Sequence, residues 1–136
     1  MIKRLRELGD TAVATCVIVR GELIFMTEKS QRRDENLDRV QRFLDDIHVY
    51  PVDEEASDIY GRLKSAILSH FGPKDRKLKR RTKTETLGFS ENDLWIAAVA
   101  KRHGMTVVSA DSDFKRMQEV GEISLETWYP SAPDNR

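Results

Sequence analysis

Short apolar runs alternate with longer segments of helical periodicity along most of this chain, which restricts the folds open to it. We predict a strand wherever such a run is short and bounded by turn residues. The predicted strands are residues 11–15, a strand near 49–52, 105–109 and 123–127. Strands separated by helices favour a mostly parallel sheet with helices on both faces. The sequence therefore predicts an α/β fold, in which reactive groups gather beyond the carboxyl ends of the strands.

The helices between these strands are marked by apolar spacing and by capping residues. Ser90 is the predicted N-cap and Gly104 the predicted stop of the clearest helix, residues 90–103. Asp53 can cap a helix that runs to about residue 69. Further helices are predicted over residues 16–28, 34–46 and 111–117, and residues 1–9 look like the last turns of a helix.

Length and composition indicate one globular domain over residues 1–136. A chain of 136 residues can bury a single core, and 39% hydrophobic residues is more than a disordered chain contains. The sequence has no signal-peptide pattern and no apolar stretch near the roughly 20 residues of a membrane-spanning helix. The one cysteine, Cys16, cannot form an intrachain disulfide and suits a reducing cytosol. We expect a soluble, cytoplasmic protein with no membrane partner and a loose tail at 129–136.

Acidic residues occur near the predicted strand ends or on apolar helix faces. Glu22 lies on one stripe of its helix with Phe25 and Met26, and we expect that stripe to face the interior. Asp93 shares a face with the apolar residues three, four and seven positions later. Two more acids directly follow the strand at 105–109, namely Asp111 and Asp113.

Carboxylates that converge without a lysine or arginine between them repel one another, and a divalent cation removes that repulsion. Ligands that are all oxygen favour Mg²⁺ or Mn²⁺ over zinc. The three histidines have no metal-ligand spacing. The acids therefore indicate a candidate magnesium or manganese site.

Each acid also has a structural interpretation. Asp93 follows Ser90 by three residues, which is the spacing of a capping box. Glu22 could turn to the surface or pair with a basic residue of its own helix. Asp111 could cap the helix that follows it, and Asp113 could be a first-turn residue favoured by the helix dipole.

A basic segment interrupts the alternation between about residues 71 and 88, and we predict a loop or exposed extension there. Its residues 74–83 hold seven cations against one acid, Asp75, in a chain whose formal net charge is zero. Such a run could neutralise phosphates of a nucleic acid, or it could be a solvated loop. The candidate nucleic-acid contacts are Lys74, Arg76, Lys77, Lys79, Arg80, Arg81 and Lys83.

Residues 90–117 read SENDLWIAAVAKRHGMTVVSADSDFKRM. An aspartate opens a helix with the pattern D-x-x-I-A-A, and a glycine and a strand lead into S-x-D-x-D-F. This stretch resembles the C-terminal signature of PIN-domain ribonucleases, especially the VapC type of toxin–antitoxin systems. The earlier TAVATCVIVRGELIFM is similar to the second strand and helix of that family, and ISLETW to its closing strand. The resemblance covers nearly the whole chain and is most specific in residues 90–117.

The resemblance implies a PIN-like (Rossmann-like) three-layer α/β sandwich that hydrolyses single-stranded RNA with Mg²⁺ or Mn²⁺. Asp93, Asp111 and Asp113 match the acidic ligands of the C-terminal half, and Glu22 matches the helix glutamate that ligates or orients the attacking water. The resemblance further implies a small antitoxin partner, and it allows a homodimer. In this interpretation the chain is the toxin component of a type II toxin–antitoxin system.

One part of the family pattern has no counterpart here. Family members begin with a strand that ends in D-T/S-N and supplies the first metal ligand, whereas this sequence starts on an expected helix end. We therefore expect the first strand to be missing and activity to be impaired. A misassigned start, an expression product lacking its N-terminus and a decayed gene remain open as explanations.

Three competing functions follow from the same residues. A catalytically defective PIN remnant could still bind RNA or an antitoxin-like partner. A receiver-like signalling domain would need a phosphate-accepting aspartate at the end of a central strand and a lysine after a late strand, and the sequence has neither. A structural or oligomeric module with scattered acids would show no stabilisation by Mn²⁺.

Overall fold

A computed structural model of the chain describes residues 13–109, 112–121 and 123–126. The chain divides into two compact units, Met1–Pro51 and Val52–Arg136, which are described separately below. The predicted helix end at 1–9 and the predicted tail at 129–136 lie outside the described residues. A single domain over residues 1–136 stays a prediction.

The first unit is a pair of parallel strands with two helices between them. Strand β1 (Ala14–Cys16) leads into helix α1 (Val17–Lys29), and helix α2 (Arg33–Asp45) leads into strand β2 (His48–Tyr50). The strands pair in parallel with Thr15 opposite Val49, and α1 packs on α2. Both predicted helices are confirmed to within one residue at each end.

The expected inward stripe of α1 is wrong. Phe25 and Met26 are 61% and 60% exposed, and Glu22 is exposed with them, whereas Thr27 is buried. The physical reason is that α1 carries apolar residues around most of its circumference, so its periodicity does not select one buried face. Burial of Glu22 in an apolar layer is thereby excluded.

The second unit packs three helices with another parallel strand pair. Helix α3 (Glu54–Phe71) lies against helix α5 (Glu91–Arg102), and strand β3 (Val107–Val108) pairs in parallel with strand β4 (Leu125–Glu126). Helix α6 (Ser112–Met117) follows β3. The core consists of apolar side chains from the three helices, from β3 and from the residues just before α5 and β4, namely Leu63, Ile67, Phe89, Leu94, Ala97, Val107, Phe114, Met117 and Ile123.

The start of α3 and both ends of α5 are the ones that the sequence predicts, whereas α3 runs two residues beyond its predicted end. Asp53 accepts a hydrogen bond from the backbone N–H of Ala56 at 2.8 Å and so caps α3. Ser90 caps α5 through its side-chain oxygen. Gly104 adopts a φ of 63°, which favours glycine, and the N–H of the next residue returns to the carbonyl of Ala100 at 2.8 Å.

The basic segment is not a loop throughout. Residues Arg76–Arg81 form the short helix α4, and Thr84–Leu87 form a 3₁₀ helix. Asp75 caps α4 by accepting from the backbone N–H groups of Lys77 and Leu78. Lysine, arginine and leucine are good helix formers, so a capped run of them is helical although it has little apolar surface to bury. Within the described residues, no helix is long and apolar enough to cross a membrane.

Candidate active site

Asp93 lies in the first turn of α5, half-buried, where the cap fixes the backbone. The side-chain oxygen of Ser90 accepts the N–H of Asp93 at 3.2 Å. The next residue, Leu94, is fully buried in the core, as are Ala97 and Ala98 one turn later. These contacts hold the first turn of α5 against the unit, and Asp93 is therefore presented on a rigid element.

Asp113 lies in the first turn of α6, and Arg116 connects that turn to the start of α5. The side chain of Asp113 is 23% exposed, and its Oδ1 is 3.7 Å from Nη1 of Arg116. Nη2 of Arg116 donates to the carbonyl of Leu87 at 2.9 Å. The guanidinium also lies 4.1 Å from the ring centroid of Phe89, the residue before the cap of α5. The contacts of Arg116 therefore join the first turn of α6 to the residues just before α5.

The position of Arg116 contradicts one expectation from the sequence. We expected the acids to meet without a basic group between them, yet this guanidinium sits beside Asp113. The D-x-x-R spacing of residues 113–116 places both side chains on one helix face and could have indicated the pair. Part of the negative charge near α6 is thus offset by the protein itself.

Asp111 and Glu22 are the other two acids that the sequence predicts as ligands. Asp111 lies outside the described residues. Glu22 is in the first unit, is exposed, and forms no ion pair with a described residue. Among the residues that the structure describes, no group of three or more His, Cys, Asp or Glu could hold a metal ion. Convergence of all four predicted acids stays a prediction.

A polar cluster beside Asp93 was not predicted from the sequence. Glu91, the first residue of α5, accepts hydrogen bonds from the hydroxyl of Tyr60, from Nζ of Lys64 at 2.7 Å and from the hydroxyl of Thr84 at 3.1 Å. Thr84 is fully buried, and the ring of Tyr60 stacks on Trp95 with centroids 3.6 Å apart. The cluster joins α3, the 3₁₀ helix and α5. Tyr60 and Lys64 are four apart on one helix face, but no sequence rule links them to a glutamate 27 residues later.

The cluster holds Glu91 ionised. Burial opposes the charge on Glu91, but the hydrogen bonds from Lys64, Tyr60 and Thr84 outweigh it and lower the pKa of the carboxyl. The hydrogen bond to Glu91 in turn raises the pKa of Lys64. Burial, and then the hydrogen bond to Glu91, raise the pKa of Tyr60.

Glu91→Gln is expected to lower the free energy of unfolding by about 1–2 kcal/mol at pH 7, because Lys64 loses a charged acceptor. The pKa of the Glu91 carboxyl is lower in the folded chain than in the unfolded chain. The ionised carboxyl therefore stabilises the fold at pH values above its unfolded pKa, and this stabilisation is lost as the pH falls through the folded pKa. The difference between wild type and variant should therefore shrink in acid. Urea unfolding from pH 3 to pH 7 measures it, with Glu85→Gln as the control for an exposed acid nearby. Identical pH profiles for wild type and Glu91→Gln would contradict the assigned cluster.

The predicted nucleic-acid contacts are all in or beside α4. Lys74 precedes the helix and Lys83 follows it, and every cation of the segment is exposed except the half-buried Lys79. The last of them, Lys83, lines an open recess with Lys64 and Glu91. The basic segment thus ends next to the polar cluster at the start of α5.

Comparison with known proteins gives a consistent family. The PIN domain family model matches residues 2–120 of the chain. The chain is 26% identical over 116 residues to "Ribonuclease VapC5" of Mycobacterium tuberculosis, covering 83% of this chain and 74% of that protein.

Solved structures of VapBC complexes share the fold. VapBC2 from Rickettsia felis, bound to a DNA fragment from its promoter, superposes with a TM-score of 0.71 at 23% identity and covers 94% of this chain and 84% of that chain. VapBC-5 from Mycobacterium tuberculosis superposes with a TM-score of 0.60 at 28% identity and covers 85% and 79%. The predicted PIN-like α/β sandwich and the resemblance to VapC-type proteins are confirmed by these matches. The chain belongs to the PIN-domain family.

Proposed function

We propose that this chain is a metal-dependent endoribonuclease that cleaves RNA as the toxin component of a type II toxin–antitoxin system. The observation that carries the proposal is the match of the PIN-domain family model to residues 2–120 of a chain in which Asp93 and Asp113 lie in the first turns of two helices. A relative that is named a ribonuclease supports the choice of RNA.

The donor set suits a hard divalent cation. Asp93 and Asp113 offer only oxygen, which Mg²⁺ and Mn²⁺ prefer. In the proposed site Asp111 and Glu22 complete the ligands, with Glu22 alternatively orienting the attacking water. A bound cation would lower the pKa of that water and stabilise charge on the phosphate.

The chain itself contributes positioning and charge balance. The capped first turn of α5 fixes Asp93, and the guanidinium of Arg116 limits repulsion at Asp113. Because the core holds these helices, each of the two carboxylates is presented from a fixed helix turn.

A small antitoxin is the proposed partner, because several solved relatives are VapBC complexes and one is described as a member of the VapBC family of toxin–antitoxin systems. A homodimer is part of the same proposal. An RNA substrate places the proposed activity in the cytoplasm.

A second candidate is a PIN remnant that binds RNA or an antitoxin-like partner without cleaving. The pairing of Asp113 with Arg116 favours it, because the guanidinium competes with a cation for that carboxylate. Cleavage measurements separate the two candidates.

Cleavage of a labelled single-stranded RNA is expected to require Mg²⁺ or Mn²⁺, to stop in EDTA and to return when Mn²⁺ is added in excess. Gel separation of end-labelled products at several metal concentrations measures this. Cleavage that persists in EDTA would contradict metal dependence. RNA binding without cleavage at any metal concentration would overturn the nuclease and support the remnant.

A further inference from the structure

The helix α4 is unusual because none of its cations pairs with an acid in the part of the chain that the structure describes. Five of its six residues are basic, and no ion pair joins any of them to a described acid. Successive helix residues turn by about 100°, so the five cations cover an arc of about 200°. The remaining residue is Leu78, which is itself 54% exposed. More than half of the circumference of α4 is therefore positive and has no ion pair to a described acid.

A helix of this kind is poorly stabilised by itself. Six residues are too few for an isolated helix, and like charges three and four positions apart repel one another. Asp75 at one end and Thr82 at the other hold it through hydrogen bonds to the backbone, the latter from its hydroxyl to the carbonyl of Leu78 at 2.7 Å. A polyanion lying along α4 would remove the repulsion.

The position of α4 relates its positive face to the start of α5. Thr82 and Lys83 line the recess that also contains Lys64 and Glu91, and Glu91 is two residues before Asp93. A chain of phosphates bound along α4 would thus continue toward the first turn of α5.

We propose that α4 is a docking helix for the phosphate backbone of single-stranded RNA, which it holds beside the acids at the start of α5. The choice of RNA rests on the proposed ribonuclease function. The contact is electrostatic and independent of base sequence, because α4 contains no aromatic residue on which a base could stack. RNA binding should also order α4.

The test is salt-dependent binding of a fluorescent single-stranded RNA to the full chain in EDTA, where cleavage does not interfere. The triple variant Arg76→Gln, Lys77→Gln, Arg80→Gln keeps good helix formers but removes three cations. Its slope of log K against log salt should be smaller by about 2, since each phosphate contact to a single strand contributes about 0.7. Affinity at 0.1 M salt should fall by at least about tenfold.

A matched control removes the same charge elsewhere. Arg39, Arg62 and Lys101 are exposed helix residues without ion pairs to described acids, and their combined change to glutamine should leave the slope within experimental error of wild type. Amide hydrogen exchange gives a second readout, in which RNA slows exchange in residues 79–82 of wild type but not of the α4 variant.

The outcomes separate this proposal from the proposed function. If wild type cleaves RNA with Mn²⁺ but the α4 variant keeps the wild-type salt slope, docking on α4 is overturned and the nuclease stands. If the slope falls as expected while wild type never cleaves, α4 docking is supported and the nuclease is overturned. Equal losses in the α4 variant and the control would mean that only net charge matters, which would also overturn docking on α4.

Discussion

Asp93→Asn is expected to reduce RNA cleavage by at least about 100-fold, because groups that merely orient a metal ligand already cost about 10–100-fold when they are lost. Asparagine has nearly the same volume as aspartate, but its neutral amide binds a divalent cation weakly. Initial rates of cleavage in saturating Mn²⁺ measure the loss, and a titration with Mn²⁺ separates weaker metal binding from slower turnover.

The fold should survive this substitution. The backbone N–H of Asp93 donates to the side-chain oxygen of Ser90 and so caps α5, and the substitution leaves this hydrogen bond intact. The favourable interaction of a first-turn acid with the helix dipole is lost, which is worth about 0.3–1 kcal/mol. Asp58→Asn on the exposed face of α3 is the matched control, and it should retain wild-type cleavage.

Thermal stability provides an independent measurement on the same proteins. Millimolar Mn²⁺ should raise the Tm of wild type and of Asp58→Asn, since a ligand of the folded state stabilises it by mass action. The rise should be reduced in Asp93→Asn. A variant that cleaves at the wild-type rate and keeps the full rise in Tm would exclude Asp93 as a metal ligand.

The parts of the fold that depend on local chemistry could be predicted from the sequence. Ser90 and Gly104 mark the ends of α5 because a side-chain cap and a positive φ are properties of single residues. Asp53 marks the start of α3 for the same reason. The parallel pairing of the strands follows from the helices between them.

Features that depend on distant contacts could not be predicted. The exposed face of α1 was misassigned because several faces of that helix are apolar, and only its packing on α2 selects one of them. The cluster around Glu91 requires that α3 and the 3₁₀ helix meet the start of α5, which no local pattern encodes. The helix α4 was missed because an apolar stripe is the usual signal for a helix, whereas α4 is held by caps at its ends.

The candidate site also has features that the sequence predicts and features that depend on distant contacts. That Asp93 and Asp113 lie in the first turns of helices follows from the capping and apolar patterns along the chain. The contact of Arg116 with the segment before α5 could not be predicted from local patterns, because Arg116 reaches the carbonyl of Leu87, 29 residues earlier in the chain. The local electrostatics therefore differ from those of bare carboxylates.

Phe89→Ala is expected to lower the free energy of unfolding by about 3–5 kcal/mol, as the loss of a fully buried aromatic side chain usually does. Phe89 is 1% exposed, belongs to the core cluster and lies 5.3 Å from Phe71 between ring centroids. Its backbone N–H donates to the carbonyl of Thr84 at 3.0 Å, which fixes the backbone whatever side chain it carries. The cavity will therefore not close by local rearrangement alone, and urea unfolding measures its cost.

The ring of Phe89 also supports Arg116, which allows its two roles to be separated. The guanidinium carbon lies 4.1 Å from the ring centroid, within the range of a cation–π contact. Phe89→Leu keeps most of the buried apolar area but removes that contact, so a double-mutant cycle with Arg116→Met should give a coupling of about 0.5–2 kcal/mol. Leu78→Ala on the exposed surface of α4 is the control and should change the free energy of unfolding by less than about 0.5 kcal/mol. A loss below about 1 kcal/mol in Phe89→Ala would mean that the start of α5 is not anchored by this ring. Asp93 would then not be held in place by the packing of Phe89 in the core.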